Sequence, residues 1–195
     1  AYEYLMGNNS SPGVFINYDS DSSFKDKCVT KVQIHPRVSR GQISIGVIGA
    51  GNFVKRVHLP NLKKLEHTFS LGGIVCRTGS GAMQLAKQYS AEYASTSSED
   101  VLADPEINAV LIGTRHNLHA EMTIKALRAG KHVFVEKPLA MSEKELNEIE
   151  IFYSNCEDSN KDSFPLLLTG FNRRFSPMMT KIKDIVRNRK FPLVM

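Results

Sequence analysis

Long apolar runs are missing from this sequence of 195 residues. No stretch approaches the roughly 20 apolar residues that a membrane-spanning helix needs, and the first residues lack the charged-then-apolar pattern of a signal peptide. Cysteine is scarce too, and Cys28, Cys76 and Cys156 lie far apart, without the paired spacing of a disulfide framework or a zinc site. These absences predict a protein of the reducing cytoplasm with no membrane segment and no metal site.

A strong charge of either sign is also absent. The 25 Lys and Arg exceed the 20 Asp and Glu by a net +5 that is spread along the chain. Short basic clusters such as residues 187–190 are typical of solvated helix surface, so nucleic acid is not expected as the main partner. An anionic substrate or cofactor fits this charge, and 42% hydrophobic content is enough for one domain with a core.

From residue 42 onward, short apolar strands alternate with helical patterns. This alternation predicts an α/β fold, a Rossmann-type doubly wound parallel sheet of about six strands with helices on both faces. Ligands of such sheets bind beyond the carboxyl ends of the strands. Strands are predicted at 43–48, 71–75, 92–95, 109–112, 132–135 and 166–168, and helices at 52–65, 82–89, 116–129, 142–153 and 178–186, with capping-box spacing at 96–99 and 142–145.

The first strand runs directly into a glycine-rich loop that opens the first helix. Gly49 permits a tight turn, and Gly51 lets a pyrophosphate approach the main chain, where the amides of Asn52 and Phe53 begin the helix. The third glycine position holds Val54, but that position serves helix–strand packing and not phosphate contact. The loop therefore predicts dinucleotide binding; the alternatives are a plain glycine turn and the similar loop of adenosyl-dependent methyltransferases.

The residues at the end of the second strand indicate which dinucleotide the chain binds. An NAD site usually has an acidic residue about 20 residues past the loop, yet there is no Asp or Glu between Glu66 and Glu92. Arg77 and Thr78 stand there instead, and a guanidinium with a hydroxyl suits a 2′-phosphate. The sequence favours NADP over NAD, with an exposed loop charge as the alternative role of Arg77.

Three later strand ends complete a pattern. They are residues 113–119 (GTRHNLH), 135–140 (VEKPLA) and 170–177 (GFNRRFSP). Together with the GAGN loop they resemble the glucose–fructose oxidoreductase / inositol dehydrogenase / rhizopine-catabolism family over residues 42–195. The resemblance implies that Lys137 lies at the nicotinamide and the substrate, that Glu136 lines the same pocket, that Thr114 passes along the cofactor, and that Asn172 and Arg173 contact it.

Lys137 also stands out without the resemblance. It follows a buried strand directly, between Glu136 and Pro138, so it is held near the carboxyl edge of the sheet. Burial there would desolvate its ammonium and fit it for proton transfer or for polarising a substrate hydroxyl. The alternative is a Glu–Lys surface pair at a strand end.

One segment departs from the family pattern. Members often have Thr-Pro-Asn where this chain has Thr114, Arg115 and His116. His116 and His119 have no further ligand cluster nearby, so they are not expected to hold a metal. His119 is expected to start a helix or to contact the cofactor.

The resemblance also implies a division of the chain. Residues 1–41 would be the tail of a preceding domain plus a linker, 42–190 the dinucleotide-binding domain, and 191–195 the start of a missing substrate domain. Residues 1–17 weakly resemble the end of a zinc-type medium-chain alcohol dehydrogenase. The family's second domain supplies the substrate pocket, the general acid/base histidine and often a homo-oligomer interface, so this fragment alone is expected to be inactive.

The function expected from these patterns is hydride transfer between a nicotinamide and a secondary alcohol of a sugar, cyclitol or sugar nucleotide. Lys137 would position or deprotonate the hydroxyl. A non-catalytic module of the same fold that senses dinucleotide or sugar is the alternative. The later strand-end motifs argue against a methyltransferase.

Overall fold

The fold was taken from a computed structural model, which describes residues 30–36, 41–155 and 164–187. Seven strands form one sheet in the order β1-β4-β3-β2-β5-β6-β7, and all neighbouring pairs are parallel except β1 with β4. The strands are β1 (Lys31–Gln33), β2 (Ile43–Ile48), β3 (Phe69–Val75), β4 (Tyr93–Ser95), β5 (Ala109–Ile112), β6 (His132–Val135) and β7 (Leu167–Thr169).

Helices connect the parallel strands. A π-helical turn (Val54–His58) leads into α1 (Leu59–Lys64), and 3₁₀ turns (His116–Leu118 and Asn172–Phe175) precede α4 and α6. The remaining helices are α2 (Gly79–Gln88), α3 (Glu99–Leu102), α4 (His119–Arg128), α5 (Glu143–Ser154) and α6 (Pro177–Val186).

Both faces of the sheet are covered. Successive side chains of a strand point to opposite faces, and accordingly Val47 belongs to the core cluster under α1 and α2, while the adjacent Ile48 belongs to the cluster under α3, α4 and α5. Ile74 and Val75 divide in the same way. The doubly wound parallel sheet predicted from the alternating pattern is confirmed.

Strand β1 extends the sheet beyond the six predicted strands. Lys31, Val32 and Gln33 pair antiparallel with β4, and Lys31 Nζ lies 3.8 Å from the centre of the Tyr93 ring. Lys31–Gln33 is therefore part of this sheet, and the domain boundary expected at residue 42 stays a prediction. Most of the expected tail and linker (1–41), namely residues 1–29 and 37–40, and the expected domain start at 191–195 lie outside the described residues.

The two predicted capping boxes have different outcomes. Ser142 Oγ accepts a hydrogen bond from the Glu145 N–H, and the Glu145 carboxylate accepts one from the Met141 N–H. These two reciprocal bonds cap the start of α5. The box at 96–99 does not form: α3 begins only at Glu99, and Ser98 makes no side-chain cap. Among the described helices, none combines the length and the apolar character that crossing a bilayer requires.

Candidate functional site

The strand order reverses between β2 and β5, because the chain builds β3 and β4 on one side of β2 and then β5, β6 and β7 on the other. At such a reversal the two adjoining crossovers leave on opposite faces, which opens a crevice at the carboxyl edge of the sheet. The glycine loop after β2 and residues Gly113 and Thr114 after β5 meet there. Two cavities adjoin at this point and share Gly51, Gly113 and Thr114 in their walls.

The two glycines of the loop are needed for different reasons. Gly49 has φ +86°, and a Cβ there would lie 2.7 Å from the Thr114 backbone. Gly51 has no such constraint, because its added Cβ would meet only Gly113 O at 3.7 Å. Gly51 is exposed toward the crevice, so the space beside it is open to a ligand.

The amides that follow are the candidate anion-binding groups of the loop. The Gly51 N–H donates to Gly49 O at 2.8 Å, which closes the turn, and the first helical bond runs from the Lys55 N–H to Gly51 O. The helical backbone begins at Asn52, and the first amides of a helix have no partner in a preceding turn. The amides after Gly51 are therefore the candidates for binding an anion, because the N–H of Gly51 itself is already bonded to Gly49 O.

The absent third glycine is explained by the partner strand. Val54 is 1% exposed and packs against Gly113, where an added Cβ would collide with a Val54 methyl group. Close packing of the first helix on the sheet needs one small residue at this contact. Here the small residue is Gly113 after β5, so Val54 does not weaken the loop.

The larger cavity, of about 760 Å³, extends from the loop toward the ends of β3 and β4. Arg77 and Thr78 line it, as the sequence predicts for the ribose end of a dinucleotide. Thr96 and Ser98, which follow β4, add two hydroxyls to the same wall.

The charge of this cavity is one-sided. Lys55 and Arg115 line it together with Arg77, and no Asp or Glu is among its lining residues in the described part of the chain. Lys55, Arg115, Thr96 and Ser98 were not predicted as site residues, although the last three come within three residues of predicted strand ends. Three cations without a carboxylate favour a ligand with several negative charges.

Cys76 lies at the floor of the larger cavity, between β3 and Arg77. Burial raises the pKa of its thiol, and the backbone of Ala50 and the charge of Lys55 only partly oppose this shift. The thiol is therefore kept neutral beside the phosphate loop, which adds no negative charge to the anion site.

The smaller cavity, of about 360 Å³, lies on the other side of the loop. It brings together residues from four separate segments, all of which the sequence assigns to one site. The lining residues include Gly51, Asn52, Phe53, Thr114, His119, Glu136, Lys137 and Asn172.

Glu136 is held by a residue that the sequence analysis did not identify. His58 Nε2 donates to Glu136 Oε1 at 2.6 Å, and the two side chains are only 17% and 15% exposed. The His58 ring lies edge-on between the rings of Phe53 and Phe134, each at 5.3 Å between centroids. His58 and Glu136 are separated by 78 residues in the chain, so their contact has no local sequence signal.

His119 begins α4 and is 1% exposed. Its Nδ1 lies 2.7 Å from Pro138 O and its Nε2 lies 3.2 Å from Thr114 O, so the ring bridges the two strand-end segments. A neutral imidazole has one N–H and donates to one of these carbonyls at a time. His119 thus shapes the cavity wall from behind, and direct contact with a cofactor stays a prediction.

Lys137 lies at the mouth of the smaller cavity with Asn172, and the Lys137–Pro138 peptide bond is cis. Its ammonium is exposed and has no hydrogen-bond or ion-pair partner among the described residues, so the surface pair with Glu136 does not form. The expected desolvation of Lys137 is wrong for this chain. Arg173 follows Asn172 but lines neither cavity.

The two cavities together form one groove across the phosphate loop. One end of the groove is cationic and carries hydroxyls, its middle is a turn open to an anion, and its smaller end carries an ammonium and a carboxylate. This sequence of groups matches the successive parts of a nicotinamide dinucleotide. No set of described residues, in this groove or elsewhere, gathers three potential metal ligands.

Comparisons with known proteins agree with this geometry. Residues 43–160 match the family described as oxidoreductase family, NAD-binding Rossmann fold. The chain is 34% identical over 147 residues to an uncharacterized oxidoreductase of Bacillus subtilis, and the alignment covers 75% of this chain and 40% of that protein. It is 32% identical over 144 residues to a myo-inositol 2-dehydrogenase of Thermotoga maritima, and this alignment covers 74% of this chain and 40% of that protein.

Solved structures give the same result. A 3-ketoreductase from Actinomadura kijaniata in complex with NADP and TDP-benzene superposes with a TM-score of 0.63 at 26% identity, over 75% of this chain and 42% of that one. A probable dehydrogenase from Thermotoga maritima superposes with a TM-score of 0.65 at 30% identity, over 74% of this chain and 41% of that one. The chain thus spans about 40% of the length of the curated relatives it matches.

With a matched family region that includes the glycine loop, β2 to β6 and the Glu136–Lys137 segment, this chain belongs to the oxidoreductase family with an NAD-binding Rossmann fold.

Proposed function

We propose that this chain is the cofactor-binding part of an NADP-dependent oxidoreductase that acts on a secondary alcohol of a sugar, cyclitol or sugar nucleotide. The observation that carries the proposal is the groove itself, in which the larger cationic cavity and the smaller Lys137 cavity meet at the phosphate loop. When bound, the nicotinamide supplies or accepts the hydride.

The larger cavity supports NADP rather than NAD. Binding of a ribose 2′-hydroxyl uses a carboxylate at this position, and the described lining residues include none. Arg77 offers a planar fork to a 2′-phosphate, and Thr78 a hydroxyl. Lys55 and Arg115 add positive potential along the path to the loop.

Lys137 supports chemistry at the smaller end. Its exposed ammonium has three N–H donors free for a substrate oxygen, and Asn172 stands in the same cavity wall. From this position Lys137 would orient a substrate hydroxyl, or stabilise the oxygen as its proton leaves. The general acid/base histidine, the rest of the substrate pocket and a homo-oligomer interface would come from the second domain implied by the resemblance.

The substrate class is supported by the relatives. One is named myo-inositol 2-dehydrogenase, and a similar structure is a 3-ketoreductase with NADP and TDP-benzene. Both names describe oxidation or reduction at a carbon bearing oxygen. We propose a cyclic polyol or a nucleotide-linked sugar as the substrate of the whole protein.

The proposal is tested by titrating the chain with NADPH, NADH and S-adenosylmethionine, using nicotinamide fluorescence for the first two and displacement for the third. Arg77→Ala should weaken NADPH binding about 10-fold or more, since a hydrogen bond to a charged group is worth about 1.5–3 kcal/mol, while NADH binding changes little. Arg128→Ala, at an exposed position in the last turn of α4, is the matched control and should leave both affinities unchanged.

Two results would contradict the proposal. Tight binding of S-adenosylmethionine without binding of either dinucleotide would overturn the cofactor class. An unchanged ratio of NADPH to NADH affinity in Arg77→Ala would overturn the preference for NADP alone.

A further inference from the structure

The pair formed by His58 and Glu136 has no part in the function proposed above, although its carboxylate member lines the smaller cavity. Glu136 lines this cavity next to Lys137. His58 lies behind Glu136 and does not line the cavity itself, so it acts on a ligand only through the carboxylate that it holds.

The carboxylate is fixed more firmly than an ordinary surface glutamate. His58 Nε2 donates to its Oε1 at 2.6 Å, and its oxygens would lie 3.0 to 3.3 Å from a Cβ built at Gly170. The imidazole that makes this bond packs edge-to-face against the Phe53 and Phe134 rings. Glu136 therefore keeps one orientation, with a partly buried negative charge at the nicotinamide end of the groove.

The charge of a nicotinamide depends on its redox state. The oxidised ring is a cation and the reduced ring is neutral, so a fixed carboxylate beside the ring stabilises the oxidised form selectively. Partial burial strengthens this effect, because the solvent screens the charge less. The three cations of the larger cavity do not line the smaller one, and the function proposed above assigns them to the phosphates and ribose, which both redox forms share.

We propose that the His58–Glu136 pair is a redox-selecting device: Glu136 favours the oxidised nicotinamide, and His58 is the positioning residue that holds Glu136 in place. This inference rests on the proposed function, because it needs the nicotinamide to lie in the smaller cavity. His58 belongs to the π-helical turn that follows the phosphate loop, so the segment that binds the pyrophosphate also orients the carboxylate.

The test measures the affinities for NADPH, by nicotinamide fluorescence, and for NADP⁺, by displacement of NADPH, in the same chain. Glu136→Gln should lower the affinity for NADP⁺ relative to NADPH by about threefold to tenfold, the size expected for one charge acting through partly screened protein. Binding of 2′,5′-ADP, which lacks the nicotinamide, should stay unchanged. Glu106→Gln, an exposed glutamate in the turn before β5 at the opposite edge of the sheet, is the control for loss of one negative charge.

His58 variants separate positioning from folding. His58→Phe keeps a ring between Phe53 and Phe134 but removes the donor, so the affinity ratio should move in the same direction as in Glu136→Gln. His58→Gln restores an N–H donor and should return the ratio toward the wild-type value. A purely structural histidine would change both affinities equally, together with the unfolding midpoint.

The outcomes separate a failure of the redox-selecting role from a failure of the proposed function. If the wild-type chain binds both redox forms and Glu136→Gln leaves their ratio unchanged, the redox-selecting role is wrong while the proposed function stands. A ratio that moves in Glu136→Gln but not in His58→Phe overturns the positioning role of His58. A wild-type chain that binds neither form contradicts the proposed function, and the inference falls with it.

Discussion

Gly49 and Gly51 stand close together in the phosphate loop, but the fold constrains only the first of them. Gly49 needs its positive φ and its lack of a side chain for the turn itself, whereas Gly51 has room for a methyl group within the chain. The same substitution at the two positions therefore separates the stability of the loop from its binding of a ligand.

Gly49→Ala should lower the free energy of unfolding by about 1–3 kcal/mol, because it combines a left-handed backbone with a collision against Thr114. Gly51→Ala should stay within about 0.5 kcal/mol of wild type and weaken NADPH binding on the order of tenfold, because the methyl group occupies the approach of the pyrophosphate. Urea unfolding followed by circular dichroism, and NADPH titration, measure the two effects. A Gly51→Ala chain with wild-type affinity would show that the pyrophosphate binds elsewhere.

Most single residues of the site could be predicted because they follow strands. Arg77, Thr114 and Lys137 come directly after β3, β5 and β6, and the carboxyl ends of parallel strands share one edge. His58 could not be found in this way, because it lies within a helix. Its role depends on a contact with Glu136, which follows β6 and is 78 residues away in the chain. The burial of His119 and the exposure of Lys137 also depend on tertiary packing, which periodicity does not report.

At the scale of elements, the contact between Val54 and Gly113 determines how closely the first helix approaches the sheet. Gly113→Ala should cost about 1–3 kcal/mol of unfolding free energy by overpacking. In a Val54→Ala background the same change should cost less, because the colliding methyl groups are gone. A double-mutant cycle by urea unfolding measures this coupling. Additive effects of the two substitutions would contradict the idea that Gly113 provides the small residue that the loop lacks at Val54.

The strands could be predicted more closely than the helices. β5 and β6 match the predicted ranges, because each is a short apolar run bounded by polar residues. Pro60, inside the helix predicted at 52–65, indicates a break near His58 and Leu59, and the structure changes from π-helix to α-helix there. A proline lacks the N–H for the normal helical bond, but the sequence does not specify that the break takes π-helical form.

For the molecule as a whole, Lys131 joins turns at the edge of the sheet opposite the groove. It is 7% exposed, and its ammonium donates to Asp104 O at 2.6 Å and Ile107 O at 2.8 Å. Burial lowers the pKa of Lys131, and the charge of Asp104 only partly opposes this shift. The folded chain therefore binds this proton less tightly than the unfolded chain.

Lys131→Met should lower the free energy of unfolding by about 1–3 kcal/mol at neutral pH, because two carbonyls lose their donor. Between the lowered pKa and the ordinary lysine pKa, the unfolded state binds more protons, so the contribution of Lys131 to stability rises with pH. The difference between wild type and Lys131→Met should grow across this window in urea titrations at several pH values. Lys87→Met, at an exposed position of α2, should show no such trend; a constant difference for Lys131→Met would contradict the linkage.

The antiparallel strand β1 has a practical consequence for how this protein is prepared. It satisfies the outer backbone groups of β4, which would otherwise form an open strand edge available to other chains. A version shortened to start at residue 42 would uncover that edge and lose the Lys31 contact with Tyr93. Recombinant versions that retain residues 30–36 should therefore remain dispersed at concentrations where the shortened version precipitates.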